Sequence, residues 1–134
     1  MNGNEMIVRR YIDEVVNENR VSVIDEIFDA DYLNHTPNGD LRGRDAMKGF
    51  IARVRAMLPD VRATVHDIFA VGDRVAVRLT LTGTYHGEVL GVAYQSRTIA
   101  LPEIQIYRLA GAQIAERWFI ADWRSAWQHL GAIR

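Results

Sequence analysis

The chain contains no cysteine. That absence excludes disulfides, thiolate metal sites and a cysteine nucleophile. It also agrees with a reducing compartment, and a cytoplasmic location is expected. Long apolar runs are missing too, so no segment is expected to span a bilayer. Residues Met1 to Glu5 are polar and lack the basic start of a secretory signal. The net charge is only -1, which removes the electrostatic case for a nucleic-acid or membrane partner. Lys48 is the only lysine among many arginines, a trait of genome composition rather than of function. His35, His66, His86 and His129 show no paired-ligand spacing, so no metal is expected. Ser22, Ser96 and Ser125 lack a strand-to-helix nucleophile elbow. The stretch Gly83 to Gly91 follows a strand but opens no helix, so it is no phosphate cradle.

What is present suffices for a core: 134 residues, 49% of them hydrophobic, the size of one domain spanning 1–134. The N-terminal half reads as helical. Met6, Ile7, Tyr11, Ile12, Val15 and Val16 form one stripe of a helix from about Asn4 to Glu18. A short helix is expected over Val21 to Phe28, an extended segment over Asp31 to His35 and a loop over Thr36 to Asp40. A third helix runs from about Asp45 to Leu58, and Pro59 ends it. The C-terminal half reads as strands, over Arg62 to Val71, Arg74 to Gly83, Thr98 to Leu109 and Gln113 to Asp122. Gly83 to Arg97 reads as loop-rich, and Pro102 calls for a sheet edge or a bulge. A last helix reaches His129, with Gly131 as its cap. Helices followed by consecutive hairpins predict an α+β domain. Its sheet is expected to curve into a cone, with helices over the concave face and a pocket inside.

The richest segment is Ile114 to Asp122. As an unbroken strand it places Ile114, Glu116, Trp118, Ile120 and Asp122 on one face. An Asp at the end of an apolar, aromatic face is a candidate general base, since poor hydration raises a carboxyl pKa. It is equally a candidate N-cap for the helix that follows. Glu116 is either a second pocket acid or the partner of Arg108 across the hairpin. Trp118 is either a flat pocket wall or core. His35 could orient a substrate oxygen or shuttle a proton, or it could bond to loop backbone. Tyr11 and Phe50 lie on apolar helix stripes that face either core or pocket. Tyr85 and His86 are either ligand contacts or a solvated tip. Glu103 is either a pocket residue at a bulge beside Pro102 or a surface residue.

Several motifs fall in order along the chain: Tyr32-x-Asn34-His35-x-Pro37, Pro59-Asp60, Gly72-Asp73-Arg74-Val75, Gly83-Thr84 with Gly87 and Gly91, Tyr107-Arg108, and Ile114-x-Glu116-x-Trp118-x-x-x-Asp122 followed by Leu130-Gly131. Together they resemble the SnoaL-like polyketide cyclase (ester cyclase) family of the nuclear transport factor 2-like superfamily. The resemblance implies a cone-shaped α+β fold, a homodimer or tetramer, and cofactor-free chemistry on an aromatic polyketide. It implies that Asp122 removes an acidic α-proton and that the enolate closes a ring by intramolecular aldol addition. His35 is the expected second catalytic residue, with Trp118, Tyr11, Phe50, Tyr85, His86 and Glu103 as substrate contacts. Isomerases, dehydratases, epoxide hydrolases and non-catalytic binding modules share the fold, so the reaction rests on the site and not on the scaffold. The loop departs from the family pattern. It reads Gly83-Thr84-Tyr85 where Gly-Thr-His is usual, Tyr94-Gln95-Ser96 where Pro-Thr-Gly is usual, and His129 stands where Gln precedes the final Leu-Gly.

Overall fold

The computed structural model describes residues 3–133; residues 1, 2 and 134, at the ends of the expected domain, lie outside them. Helix α1 (Gly3–Arg10) runs into a π-helical segment (Tyr11–Asn17). A 3-10 turn (Val21–Val23) and a short α2 (Ile24–Ile27) follow. Strands β1 (Phe28–Thr36) and β2 (Gly39–Arg42) precede α3 (Arg44–Met57). Then come β3 (Arg62–Val71), β4 (Arg74–Val89), β5 (Val92–Ala110), β6 (Gln113–Ala121) and α4 (Trp123–Leu130). The strands form one sheet in the order β2-β1-β6-β5-β4-β3. Only the β1–β6 pairing is parallel, so the sheet is mixed. It curves without closing, with the N-terminal helices on its concave side, and the architecture is the expected α+β cone. Among the described residues, no helix is long and apolar enough to cross a membrane.

Most of the expected stripe of the first helices is buried: Tyr11, Ile12, Val15 and Val16 enter the core and Ile7 packs against it, whereas Met6 is 58% exposed and its place inside is taken by Val8. The end of the π-helical segment is fastened to the sheet. The Asn17 amide donates to the Ala63 carbonyl at 3.1 Å and accepts from the Ala63 N–H at 2.7 Å, as a neighbouring strand would. A second fastening joins two motifs of the sequence. Asp60 accepts from the Thr84 N–H at 2.7 Å and from its hydroxyl at 2.9 Å. Position 83 must be glycine for this, because a Cβ there would lie 2.9 Å from Asp60 Oδ1 and 3.3 Å from Leu58 Cβ.

Three expectations are corrected or narrowed. Gly83 to Arg97 is not a loop. It is the outer part of a long β4–β5 hairpin that turns at Leu90 and Gly91, with φ of 52° and 80°. Buried Tyr85 and Val89 hold it inward despite its glycines. Pro102 lies at no bulge, since it pairs with Thr80 in unbroken register inside β5, and it stands at a local edge instead, because the β5–β6 ladder ends at Glu103 and Ala121. Its carbonyl accepts from the Asp122 N–H at 2.8 Å, just past the end of β6. In a strand the N–H and C=O of one residue point the same way, so the missing N–H faces the point where β6 stops and no ladder bond is lost.

The third correction decides the site. β6 carries a bulge, with Leu109 paired to Ile114 but Arg108 to Glu116, so Ala115 is the extra residue. One inserted residue reverses which side chains face inward. Ile114 is buried, but beyond the bulge it is Arg117, Phe119 and Ala121 that point into the cone. Glu116, Trp118, Ile120 and Asp122 point out. Of the single face expected for Ile114 to Asp122, only Glu116, Trp118, Ile120 and Asp122 share a side, and it is the outer one.

Candidate functional site

The cone holds a cavity of about 440 Å³, a size suited to a small-molecule ligand. Its walls include Phe50, Val54 and Met57 of α3, Tyr85, Leu101 and Phe119 of the sheet, and Trp123 and Trp127 of α4. Behind it lies an annex of about 30 Å³, bordered by Tyr11, Ile12, Gln105 and Arg117 among others. Phe50, Val54, Leu81 and Glu103 border both spaces. α4, which lines the cavity with Trp123 and Trp127, is capped at both ends. At one end Asp122 accepts from the Ser125 N–H at 3.0 Å. At the other, Gly131 takes a left-handed φ of 78°. The rings of Trp123 and Trp127 lie 6.1 Å apart, and Tyr85 meets Trp123 edge-on at 6.5 Å.

The polar end of this apolar space is built on β5. Period-two alternation sends Glu103, Gln105 and Tyr107 inward together, and all three are buried. Arg117 of β6 stands opposite Tyr107. Arg117 Nε donates to the Tyr107 hydroxyl at 3.3 Å, and that hydroxyl donates to Gln105 Oε1 in a short hydrogen bond. Gln105 Nε2 donates to Glu103 Oε1 at 2.8 Å. Arg117 also donates to Asn34 Oδ1 at 3.3 Å and lies 4.4 Å from the centre of the Phe119 ring. Burial raises the Glu103 pKa above the usual carboxylate range; the Arg117 charge and the Gln105 hydrogen bond moderate the rise. Burial opposes the Arg117 charge, but the surrounding Tyr107, Tyr11, Tyr32 and Glu103 outweigh it and its pKa is raised. The site therefore pairs a permanent cation with an acid whose charge is weakly supported.

Tyr11, Phe50, Tyr85 and Glu103 come together around this cavity. Asp122, His35, Trp118 and His86 do not. Asp122 caps α4 on the outer face, beside a shallow depression shared with His66 and Arg78. His35 is also on the outer face, stacked on Trp118 at 5.1 Å. Its ring bridges Glu116 at 2.6 Å and Asp40 at 3.0 Å. The Glu116 bond is the main reason its pKa is raised. Glu116 in turn accepts from Arg108 Nε at 3.0 Å, so it is an ion-pair residue and not a pocket acid. His86 is exposed on the hairpin. Glu103 is reached without the bulge expected beside Pro102, and it is not a surface residue.

Gln105, Tyr107, Arg117, Phe119 and the two tryptophans of α4 belong to the site and were not singled out as pocket residues from the sequence. A signal for the first two existed: Glu103, Gln105 and Tyr107 repeat at period two against Ile104 and Ile106. The isoleucines look like the core face of such a strand, so the polar set reads as solvated. Arg117 carried no signal, because the Ala115 bulge reverses its side. Among the described residues, no group of three or more His, Asp or Glu side chains is placed to hold a metal ion.

An apolar cavity inside an α+β cone, with one buried acid at its polar end, defines a class of small-molecule pocket proteins. Within that class the chain belongs to the SnoaL-like polyketide cyclase family, whose model matches residues 6–130. It is similar to the solved structure of wild-type IdmH, a candidate polyketide cyclase from Streptomyces antibioticus. The two are 27% identical with a TM-score of 0.86, over 97% of this chain and 99% of that one. TsrD from Streptomyces laurentii is 23% identical with a TM-score of 0.84, over 98% and 96% of the two chains. A SnoaL-like polyketide cyclase from Agrobacterium tumefaciens is 20% identical with a TM-score of 0.83, over 98% and 100%. The last two likenesses speak for the fold alone. No curated protein matches the chain.

Proposed function

We propose that the chain is a cofactor-independent cyclase that closes a ring in an aromatic, polycarbonyl substrate, with Glu103 rather than Asp122 as the general base. The observation that carries this reading is the position of Glu103. It is 6% exposed, borders both parts of the cavity, and is the only carboxylate among the described residues lining either. A desolvated carboxylate is a stronger base than a hydrated one. Aromatic walls suit a flat conjugated ligand.

The step balances without a cofactor. The Glu103 carboxylate takes a proton from the carbon α to a carbonyl. The enolate carbon attacks a second carbonyl carbon, forming one C–C bond and an alkoxide. Glu103 returns the proton to that oxygen, and the product is an isomer of the substrate. The buried Arg117 charge favours the enolate, because fields act strongly where water is excluded. The requirement for two acids holding a water, as in an epoxide hydrolase, is not met by one lining carboxylate.

Deuterium exchange at the benzylic α-carbon of 2-tetralone tests the base without knowledge of the natural substrate. Glu103→Gln should slow exchange by about a hundredfold to ten-thousandfold. Asp122→Asn should leave it within about twofold, since Asn also caps a helix. The opposite pattern would return the role to Asp122. Exchange in the parent no faster than in buffer would favour a binding module. The reading extends to a homodimer formed through the outer face of the sheet.

A further inference from the structure

The hydrogen bonds that end on Glu103 all run one way. Arginine can only donate and does not lose its proton. Its Nε–H to the Tyr107 oxygen, at 3.3 Å, therefore leaves the Tyr107 proton to go elsewhere, and it goes to Gln105 Oε1. With its oxygen engaged, the Gln105 amide turns its nitrogen to Glu103 Oε1, at 2.8 Å. A glutamine amide is nearly symmetric in shape but opposite in polarity at its two ends. Turned over, it would press a carbonyl oxygen against the carboxylate. The guanidinium is itself held by Asn34 Oδ1 at 3.3 Å and by the Phe119 ring at 4.4 Å. Every member of the chain is buried.

We infer that Tyr107 and Gln105 are positioning residues for the base: Tyr107, fixed by Arg117, selects the face of the Gln105 amide that meets Glu103. This assignment rests on Glu103 being the base. The arrangement gives the Glu103 anion a donor at Oε1 and leaves its other oxygen for proton exchange with the ligand. Besides the Arg117 charge, Gln105 is the side-chain partner that supports the charged form of this deeply buried acid. Tyr107 touches no reacting atom; it acts through Gln105.

The test is the ionisation of Glu103 followed by carboxyl-carbon NMR in the full chain. Gln105→Met removes the donor at nearly constant volume. Tyr107→Phe leaves the amide in place but removes what orients it. Each should lower the Glu103 ionisation constant about tenfold, the size of one hydrogen bond to a charged group. The double variant should show no further change, because both act through one bond. An unmoved midpoint in Tyr107→Phe, or additive effects in the double variant, would overturn the assignment. The parent protein offers a check that needs no variant. The two Gln105 side-chain amide protons should titrate with the Glu103 midpoint, and amide signals blind to that titration would overturn it as well. The 2-tetralone assay separates the two claims. If Glu103→Gln still exchanges while the midpoint moves as expected, the one-way chain stands without a catalytic role. If Glu103→Gln fails to exchange and the midpoint does not move in Tyr107→Phe, the base stands and the positioning role falls.

Discussion

A carboxylate buried where Glu103 sits costs the fold stability whenever it is ionised. Its pKa is raised in the folded chain, chiefly by burial. Between the ordinary and the raised value the native state therefore binds more protons than the unfolded state, and stability falls as pH rises through that window. The sign is opposite to that of a salt-bridged carboxylate such as Glu116, whose pKa is lowered mainly by the His35 hydrogen bond. Glu103→Gln carries no charge at any pH. It should melt a few degrees above the parent near about pH 8, and the gap should close as pH falls to about pH 4. Melting curves at the two pH values check this. A variant that melts lower than the parent at the alkaline pH would mean that Arg117 and Gln105 more than offset the desolvation. A site residue that destabilises its own fold is the expected trade between stability and activity.

Among the elements, β6 carries the largest consequence for the smallest feature. Ala115 contributes almost no surface of its own, yet it sets which side of the sheet receives Arg117 and Phe119 and which receives Glu116 and Trp118. Plain alternation with Ala115 kept would drive Glu116, Trp118 and Ile120 inward. Deleting Ala115 instead brings Glu116 directly after Ile114, so the regular register Leu109–Ile114, Arg108–Glu116 and Tyr107–Arg117 keeps Arg117 and Phe119 inside. The deletion variant should therefore keep its near-ultraviolet circular dichroism and its cooperative melt. A variant that no longer melts cooperatively would show that the bulge itself, and not only the facing it sets, is required by the fold. The Leu90–Gly91 hairpin and α4 are secondary to this bulge, because both border a cavity whose lining the bulge selects.

At the scale of the whole molecule, the outer face of the sheet is left uncovered by the described residues. Ile104, Ile106 and Ile120 are 60%, 42% and 71% exposed, and Phe69 is 57% exposed. Register places His35, Trp118, Ile106, Ala76 and Phe69 in one row and Ile120, Ile104, Arg78 and Asp67 in the next. Ion pairs stand around this apolar centre: Glu116 with Arg108 at 3.0 Å, Asp67 with Arg78 at 2.7 Å and His35 with Asp40 at 3.0 Å. An apolar middle within a polar surround is the anatomy of an interface, and a second copy can cover it around a two-fold axis. The parent should sediment as a dimer or larger at micromolar concentration. Ile104→Lys should sediment as a monomer with unchanged circular dichroism. A monomeric parent would remove the interface and leave the exposed isoleucines without an explanation.

The sequence by itself determined the α+β class, the order of helices and strands apart from β2, the inward stripe of the first helices apart from Met6, and the family. These rest on local periodicity, turn residues and motif order, which neighbouring residues carry without help from the rest of the chain. It also held the choice between pairing and pocket for Glu116, since Arg108 lies across a short hairpin. Tertiary structure alone decided which acid faces the cavity. The Ala115 bulge leaves no mark in composition, because an alanine is equally at home in a regular strand. Its effect appears only when β6 is paired with β5. Pro102 reads as a breaker until β6 is seen to stop beside it. Glu103, Gln105 and Tyr107 read as a solvated face until the curvature of the sheet turns that face inward, where Arg117 meets it.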